Sequence, residues 1–184
     1  MTTYPFQILK QHLAEELPEL REIDWYLQQD STTDTNAQLY ASPIVYIEFL
    51  PLDPVDIGFR IQQAEAEFNL HLLTSNVMDS GKRVKKDTPT DHMYIFDKLY
   101  NAVHGFSAKL SYLQGKESLL NTPSDQRIMN SISRVAITPP HKPRKGVMKS
   151  IQRFKCIIWD HAALANYEDQ ALGIDITVEI DQPS

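Results

Sequence analysis

PIVYIEFLPLDPVDIGFRIQQAEAEFNLHLL, residues 43–73, is the stretch on which the fold turns. It reads as two long strands joined by a proline-rich elbow. From Ile44 to Leu50, Val45, Ile47 and Phe49 fall on one face and Tyr46 and Glu48 on the other, the period of two that marks a strand. From about Gly58 to Leu73 the same alternation puts Ala64, Ala66, Phe68, Leu70 and Leu72 on one face. Glu65, Glu67, Asn69 and His71 lie opposite. The apolar set sits on odd positions at Phe59 and Ile61 and on even positions from Ala64. That change of phase predicts a β-bulge near Gln62 and Gln63. The elbow LPLDPVD, with Pro51 and Pro54, cannot continue a central ladder and reads as a turn.

Outward from this hairpin, Tyr4–Leu17 reads as a helix, with Phe6, Leu9, Leu13 and Leu17 on one stripe, Pro5 in its first turn and Pro18 as its stop. Ile23–Gln28 is expected as an edge strand, and the polar Asp30–Ser42 as a surface loop. After Leu73 the run SNVMDSGKRVKKD has no period and reads as a flap. Thr88 and Pro89 are start signals for a second helix. Its stripe is Phe96, Leu99, Val103, Phe106, Leu110 and Leu113, weakened at Gly105 and ended by Gly115. Gln126–Thr138 and Val147–Asp160 are expected as a hairpin joined by the loop PPHKPRKG. A final strand shows Ile174, Ile176, Val178 and Ile180 alternating with polar residues. The expected fold is α+β: a mostly antiparallel sheet of four to six strands with two amphipathic helices on one face. Residues 1–160 form the domain, and 161–184 an acidic extension carrying one strand.

The 184 residues, 42% hydrophobic and 23% charged, suit one soluble domain. The apolar runs fall far short of the roughly 18 residues of a membrane span. MTTYPFQILKQ lacks the features of a secretion signal. One cysteine, Cys156, excludes an internal disulfide and fits an intracellular product. The net charge is −6, unevenly spread. Residues 15–34 hold seven acids and one base, and 160–184 six acids and no Lys or Arg. Positive charge gathers at Lys82, Arg83, Lys85 and Lys86, and again at Lys142, Arg144, Lys145 and on to Lys155. These are candidate partner or DNA contacts, although no aromatic residues are interleaved with them for base stacking.

Sequence motifs for metal, phosphate or nucleophilic chemistry are absent: there is no HExxH, paired cysteine, GxSxG or glycine-rich loop. His71 with Glu65 and Glu67 could form a catalytic pair, but a solvated or interface face is the simpler reading. Cys156 alternates with Phe154 and Ile158 as a core residue. The expectation is a non-enzyme with no catalytic residue, cofactor or metal.

The chain resembles the phage tail terminator family, the tail-completion proteins of long-tailed bacteriophages. The resemblance lies in order and texture over residues 1–160: an amphipathic helix, EIDWYLQQ, the Pro-led SPIVYIEFLPLDP, the long IQQAEAEFNLHLLT, HMYIFDKLYNAVHGF, and a closing RFKCIIWD. It implies a virion structural protein that forms a homohexameric ring. The ring would cap the tail tube, meet tail tube and neck or connector proteins, and let DNA pass through its lumen, with no membrane partner. Assembly would take place in the cytoplasm of the infected bacterium. By element, it makes Ser80–Asp87 a candidate lumen or partner contact. It makes Glu65, Glu67, Asn69 and His71 a candidate subunit or lumen face. The loop Pro139–Gly146 and the C-terminal strand depart from the family pattern. Ile174, Ile176, Val178 and Ile180 are expected to complete a sheet or clasp an adjacent subunit. The alternative is a small nucleic-acid-binding or regulatory domain using the basic loops 82–86 and 142–149.

Overall fold

The computed structural model describes residues 3–28, 43–58, 61–75, 92–109, 127–144 and 147–160. In chain order these form α1 (Thr3–Glu16), β1 (Glu22–Trp25), β2 (Ile44–Phe49), β3 (Val55–Gly58), β4 (Ile61–Ser75) and α2 (His92–Val103), followed by β5 (Ala108–Lys109), β6 (Arg127–Met129), β7 (Ser133–Arg144) and β8 (Val147–Asp160). The strands make one sheet in the order β1-β2-β4-β8-β6-β5, with β3 added to β4 and β7 to β8. All pairs are antiparallel except β1–β2. The expected α+β class, mostly antiparallel and with helices on one face, is present, but the described residues alone give the sheet eight strands rather than four to six.

Register explains which face is dry. β2 and β4 place Val45 opposite Leu72, Ile47 opposite Leu70 and Phe49 opposite Phe68. β4 and β8 then place Phe68 opposite Phe154, Ala66 opposite Cys156 and Ala64 opposite Ile158. Directly opposed residues share a face, so this side of three strands is a continuous apolar floor. α1 covers it with Phe6, Ile8, Leu9 and Leu13, and α2 with Ile95, Phe96, Leu99 and Val103. Burial of each large aliphatic side chain contributes about 1.5–3 kcal/mol. Phe6 stacks on Trp25 of β1 at 4.1 Å between centroids. The two helices are also tied directly: the His12 Nε2–H donates to the Ala102 carbonyl at 2.9 Å, and the His12 ring stacks on Phe106 at 3.7 Å.

Several boundaries differ from the sequence reading. β4 runs unbroken against β8 from Gln62 to Ser75. The irregularity lies in β3, between Asp56 and Gly58, and not at Gln62–Gln63. The elbow turns only from Leu50 to Pro54; Val55 already pairs with Gln63. Gln126–Thr138 is not one strand: β6 and β7 are separate, with Asn130–Ile132 between them. PPHKPRKG is not a free loop, because β7 carries Pro139, Pro140 and Pro143 along β8 to Arg144 opposite Val147. A strand with a neighbour on one side only tolerates proline, and the two register shifts that span these prolines, between Thr138 and His141 and between His141 and Arg144, absorb the misfit.

The second helix ends at Val103, not near Gly115. Gly105 adopts φ +85°, the left-handed stop that glycine enters without penalty. Its N–H donates to the Ile132 carbonyl, and the Ile132 N–H returns to Phe106, each at 2.8 Å. A helical continuation would forfeit both bonds. Nothing lies within 4 Å of a Cβ built at this glycine, so the cost of Gly105→Ala is conformational alone. Urea unfolding is expected to show a loss of about 1–2 kcal/mol for Gly105→Ala, and less for Gly105→Asn, which enters this region more readily.

Candidate functional site

The face of the sheet turned away from the helices carries the polar residues singled out in the sequence. It is graded along the strands. At one end Ile44, Tyr46, Leu73 and Val147 form a small apolar cluster with Tyr26 against it. At the other end Glu65 pairs with Lys155 at 3.6 Å and Glu67 with Arg153 at 3.8 Å. Both are diagonal cross-strand pairs, since Glu67 directly faces Lys155 and Asn69 faces Arg153. The paired side chains are 42–68% exposed, and pairs of this kind contribute no more than about 1 kcal/mol each.

Between the two ends lies a bonded cluster. Asn69 Nδ2 donates to Glu48 Oε2 at 2.7 Å. The Nε2 of His71 meets the same oxygen at 2.8 Å. Arg153 Nε donates to Asn69 Oδ1 at 3.2 Å. The Tyr26 ring lies flat on His71, 3.9 Å between centroids and 7° from parallel, and the Lys149 ammonium lies 5.1 Å from the Tyr26 centroid. Tyr26 is held there because its N–H donates to the Ile47 carbonyl.

The four candidates Glu65, Glu67, Asn69 and His71 thus share a face but not an environment. Glu65 is exposed and Glu67 half-buried, whereas Asn69 and His71 are 7% and 3% exposed. His71 bonds to Glu48, and neither Glu65 nor Glu67 is its partner. The imidazole is covered by Tyr26 rather than presented to a substrate. Glu48 and Tyr26 are the residues that the sequence reading missed, and Lys149 was placed in a basic loop rather than here. Glu48 was legible as the polar alternate of its strand. Tyr26 was not, because its partner His71 lies 45 positions on.

Burial is the largest influence on the Glu48 carboxyl and by itself would raise its pKa. The bonds from Asn69 and His71, with the charges of His71 and Lys149, outweigh it and hold the group below the ordinary glutamate range. A depressed carboxyl contributes stability that is present above its unfolded pKa, about 4.3, and is lost as pH falls through the folded value. Glu48→Gln is therefore expected to flatten the acid side of the stability–pH profile below about pH 4.3. At neutral pH it should cost about 1–2 kcal/mol. Urea midpoints between pH 3 and 7 check both.

On the helix side, the start of α2 is anchored by a second buried cluster. The Thr74 hydroxyl meets His92 Nδ1 and the Ser150 hydroxyl meets His92 Nε2, each at 2.9 Å. Gln152 Nε2 donates to the Phe96 carbonyl at 2.6 Å. The Cys156 thiol is buried, and burial pushes its pKa up to about 12. That is the state of a packed residue and not of a nucleophile.

Of the basic candidates only Lys142 and Arg144 lie among the described residues. Lys142 is exposed on β7, and Arg144 ends that strand. Lys149 is 7% exposed, so the expected basic loop 142–149 is in large part sheet. Lys82, Arg83, Lys85, Lys86 and Lys145 lie outside the described residues, as do Ile174, Ile176, Val178 and Ile180. Among the described residues no three His, Cys, Asp or Glu side chains are placed to hold a metal ion. No helix there is long and apolar enough to cross a membrane. Between the polar face and β7 a cleft of about 210 Å³ is lined by Asn69, Ala136, Ile137, Thr138, Ile151 and Arg153.

No family model and no curated protein matches the chain. Among solved structures it is similar to a chain of the "Virion of native gene transfer agent (GTA) particle", at 11% identity. That alignment covers 83% of this chain and 92% of the other, with a TM-score of 0.43. A likeness at that level carries no assignment of fold or function.

Proposed function

We propose that this protein is a structural assembly protein of a phage-like virion. It forms a ring that caps the tail tube and joins it to the head or neck. The observation that carries the reading is the order of elements on the residues that resemble the tail terminators. An amphipathic helix comes first, then the Pro-led β2, the 15-residue β4, a helix on HMYIFDKLYNAV and a closing strand through RFKCIIWD. In this role the protein binds other copies of itself, the tube and the neck. It performs no chemical step, and its contact with DNA in the lumen is without sequence preference.

The buried polar clusters suit such a part. Glu48, Asn69, His71 and Arg153 lock three strands at fixed register, which gives a rigid plate for docking. Negative-stain microscopy of the purified protein tests the reading. Rings of uniform diameter are the expected result. A species that sediments as a monomer at every concentration, and that never appears at the head–tail junction of immunolabelled particles, overturns it.

A further inference from the structure

Among the described residues four strands, β1, β3, β5 and β7, are paired on one side only, and two of these edges, those of β3 and β7, differ in charge. β3 pairs with β4 on one side only, and β7 pairs with β8 on one side only. An open edge displays unpaired N–H and C=O groups ready to take another strand. Six large apolar side chains are exposed among the described residues, and four of them sit on these two strands: Val55 at 62%, Ile57 at 51%, Val135 at 42% and Ile137 at 47%.

The usable lengths match. β3 has four residues, Val55–Gly58. On β7, the Arg134 N–H is already taken by His104 Nδ1 at 3.4 Å. Pro139 and Pro140 lack an N–H to donate. That leaves Val135–Thr138, also four residues. The charges are complementary. Residues 50–58 contain Asp53 and Asp56, both exposed, and no base. Residues 133–144 contain Arg134, His141, Lys142 and Arg144, and no acid.

We infer that the β3 edge of one copy pairs with the β7 edge of a second copy, so that the sheet continues from molecule to molecule. The contact is heterologous: two different patches meet, and every copy in a series keeps one free edge of each kind. Such contacts close into rings when the rotation permits. The two edges also sit at different heights on the sheet. Val55 is level with Trp159 of β8 through Gln63, whereas Ile137 is level with Gln152. Seven residues at about 3.4 Å each displace the edges by roughly 24 Å along the strands. A stagger of this kind tilts the strands, as closure of a sheet requires. This inference rests on the ring reading and supplies the subunit contact for it.

The test uses two exposed positions, at which single substitutions change stability by no more than about 0.5 kcal/mol. Ile57→Lys places a base on the acidic edge, facing the basic one. Ile137→Asp places an acid on the basic edge. Circular dichroism melts confirm that both fold. Sedimentation velocity is expected to show wild-type association, a loss of about tenfold or more in affinity for each variant alone, and renewed association when the two are mixed. In the mixture an intact β7 from one variant meets an intact β3 from the other. A variant that associates like wild type overturns the inference, as would follow if β7 paired with β7. So does a mixture that stays monomeric. If wild-type rings persist unchanged in both variants, this contact falls while the ring reading stands. If wild type shows neither rings nor association, this contact falls, and the ring reading falls with it when the protein is also absent from the head–tail junction.

Discussion

Phe68→Ala is expected to remove about 3–5 kcal/mol of unfolding free energy, the range for a large aromatic lost from a core. Phe68 is fully buried at the middle of β4. It lies opposite Phe49 on β2 and Phe154 on β8, with ring centroids 5.4 and 5.6 Å away. Both neighbours are held by backbone pairing and cannot close in on the space. The cavity term is therefore close to its full value. A domain of this size has about 5–15 kcal/mol in total, so the variant will stand near the edge of folding at 37 °C. Phe49 is only partly buried and Phe49→Ala should cost less. Urea midpoints at 25 °C, compared at constant slope, provide the measurement. A loss for Phe68→Ala below about 1 kcal/mol would falsify the placement of this ring at the centre of the core.

His92→Ala is the second large effect, expected at about 3–4 kcal/mol. His92 is 4% exposed, and its two ring nitrogens meet the hydroxyls of Thr74 and Ser150, themselves 4% and 0% exposed. A neutral imidazole has one donor and one acceptor nitrogen, so one hydroxyl donates to the ring and the other accepts from it. Truncation leaves two buried hydroxyls without the ring, at about 1–3 kcal/mol each if no other partner replaces it. The asymmetry between breaking a polar cluster and replacing it gives the control. Thr74→Val and Ser150→Ala, combined with His92→Leu, remove every polar group at once and should recover much of the loss. If the triple variant is as unstable as His92→Ala, the cost is steric and the hydrogen bonds contribute little.

The parts of this fold that could be read from sequence are those governed by local periodicity. β2 and β4 alternate cleanly, and the helix stripes name the residues that cover them. The misreadings share one cause: the deciding partner is distant in the chain. Gly105 ends α2 because Ile132 takes its N–H, whereas a local count sees a weak point in a longer stripe. β7 tolerates three prolines because, among the described residues, it has β8 on one side and no strand on the other. Strand direction left no trace in the alternation of Ile23–Gln28, so the parallel β1–β2 pair was not foreseen. In the candidate site, polar alternation correctly set Glu65, Glu67, Asn69 and His71 on one face. It could not show that Tyr26 stacks over His71.

Cys156 faces Ala66 across the two central strands and is the chain's only cysteine. Reagents that need a thiolate find none in the folded molecule, because the thiol is both covered and held protonated. The native chain is in effect a cysteine-free background. A single cysteine introduced on an exposed strand becomes the sole labelling handle, so a dye or spin probe can be attached at one chosen place without first removing a natural residue from the core.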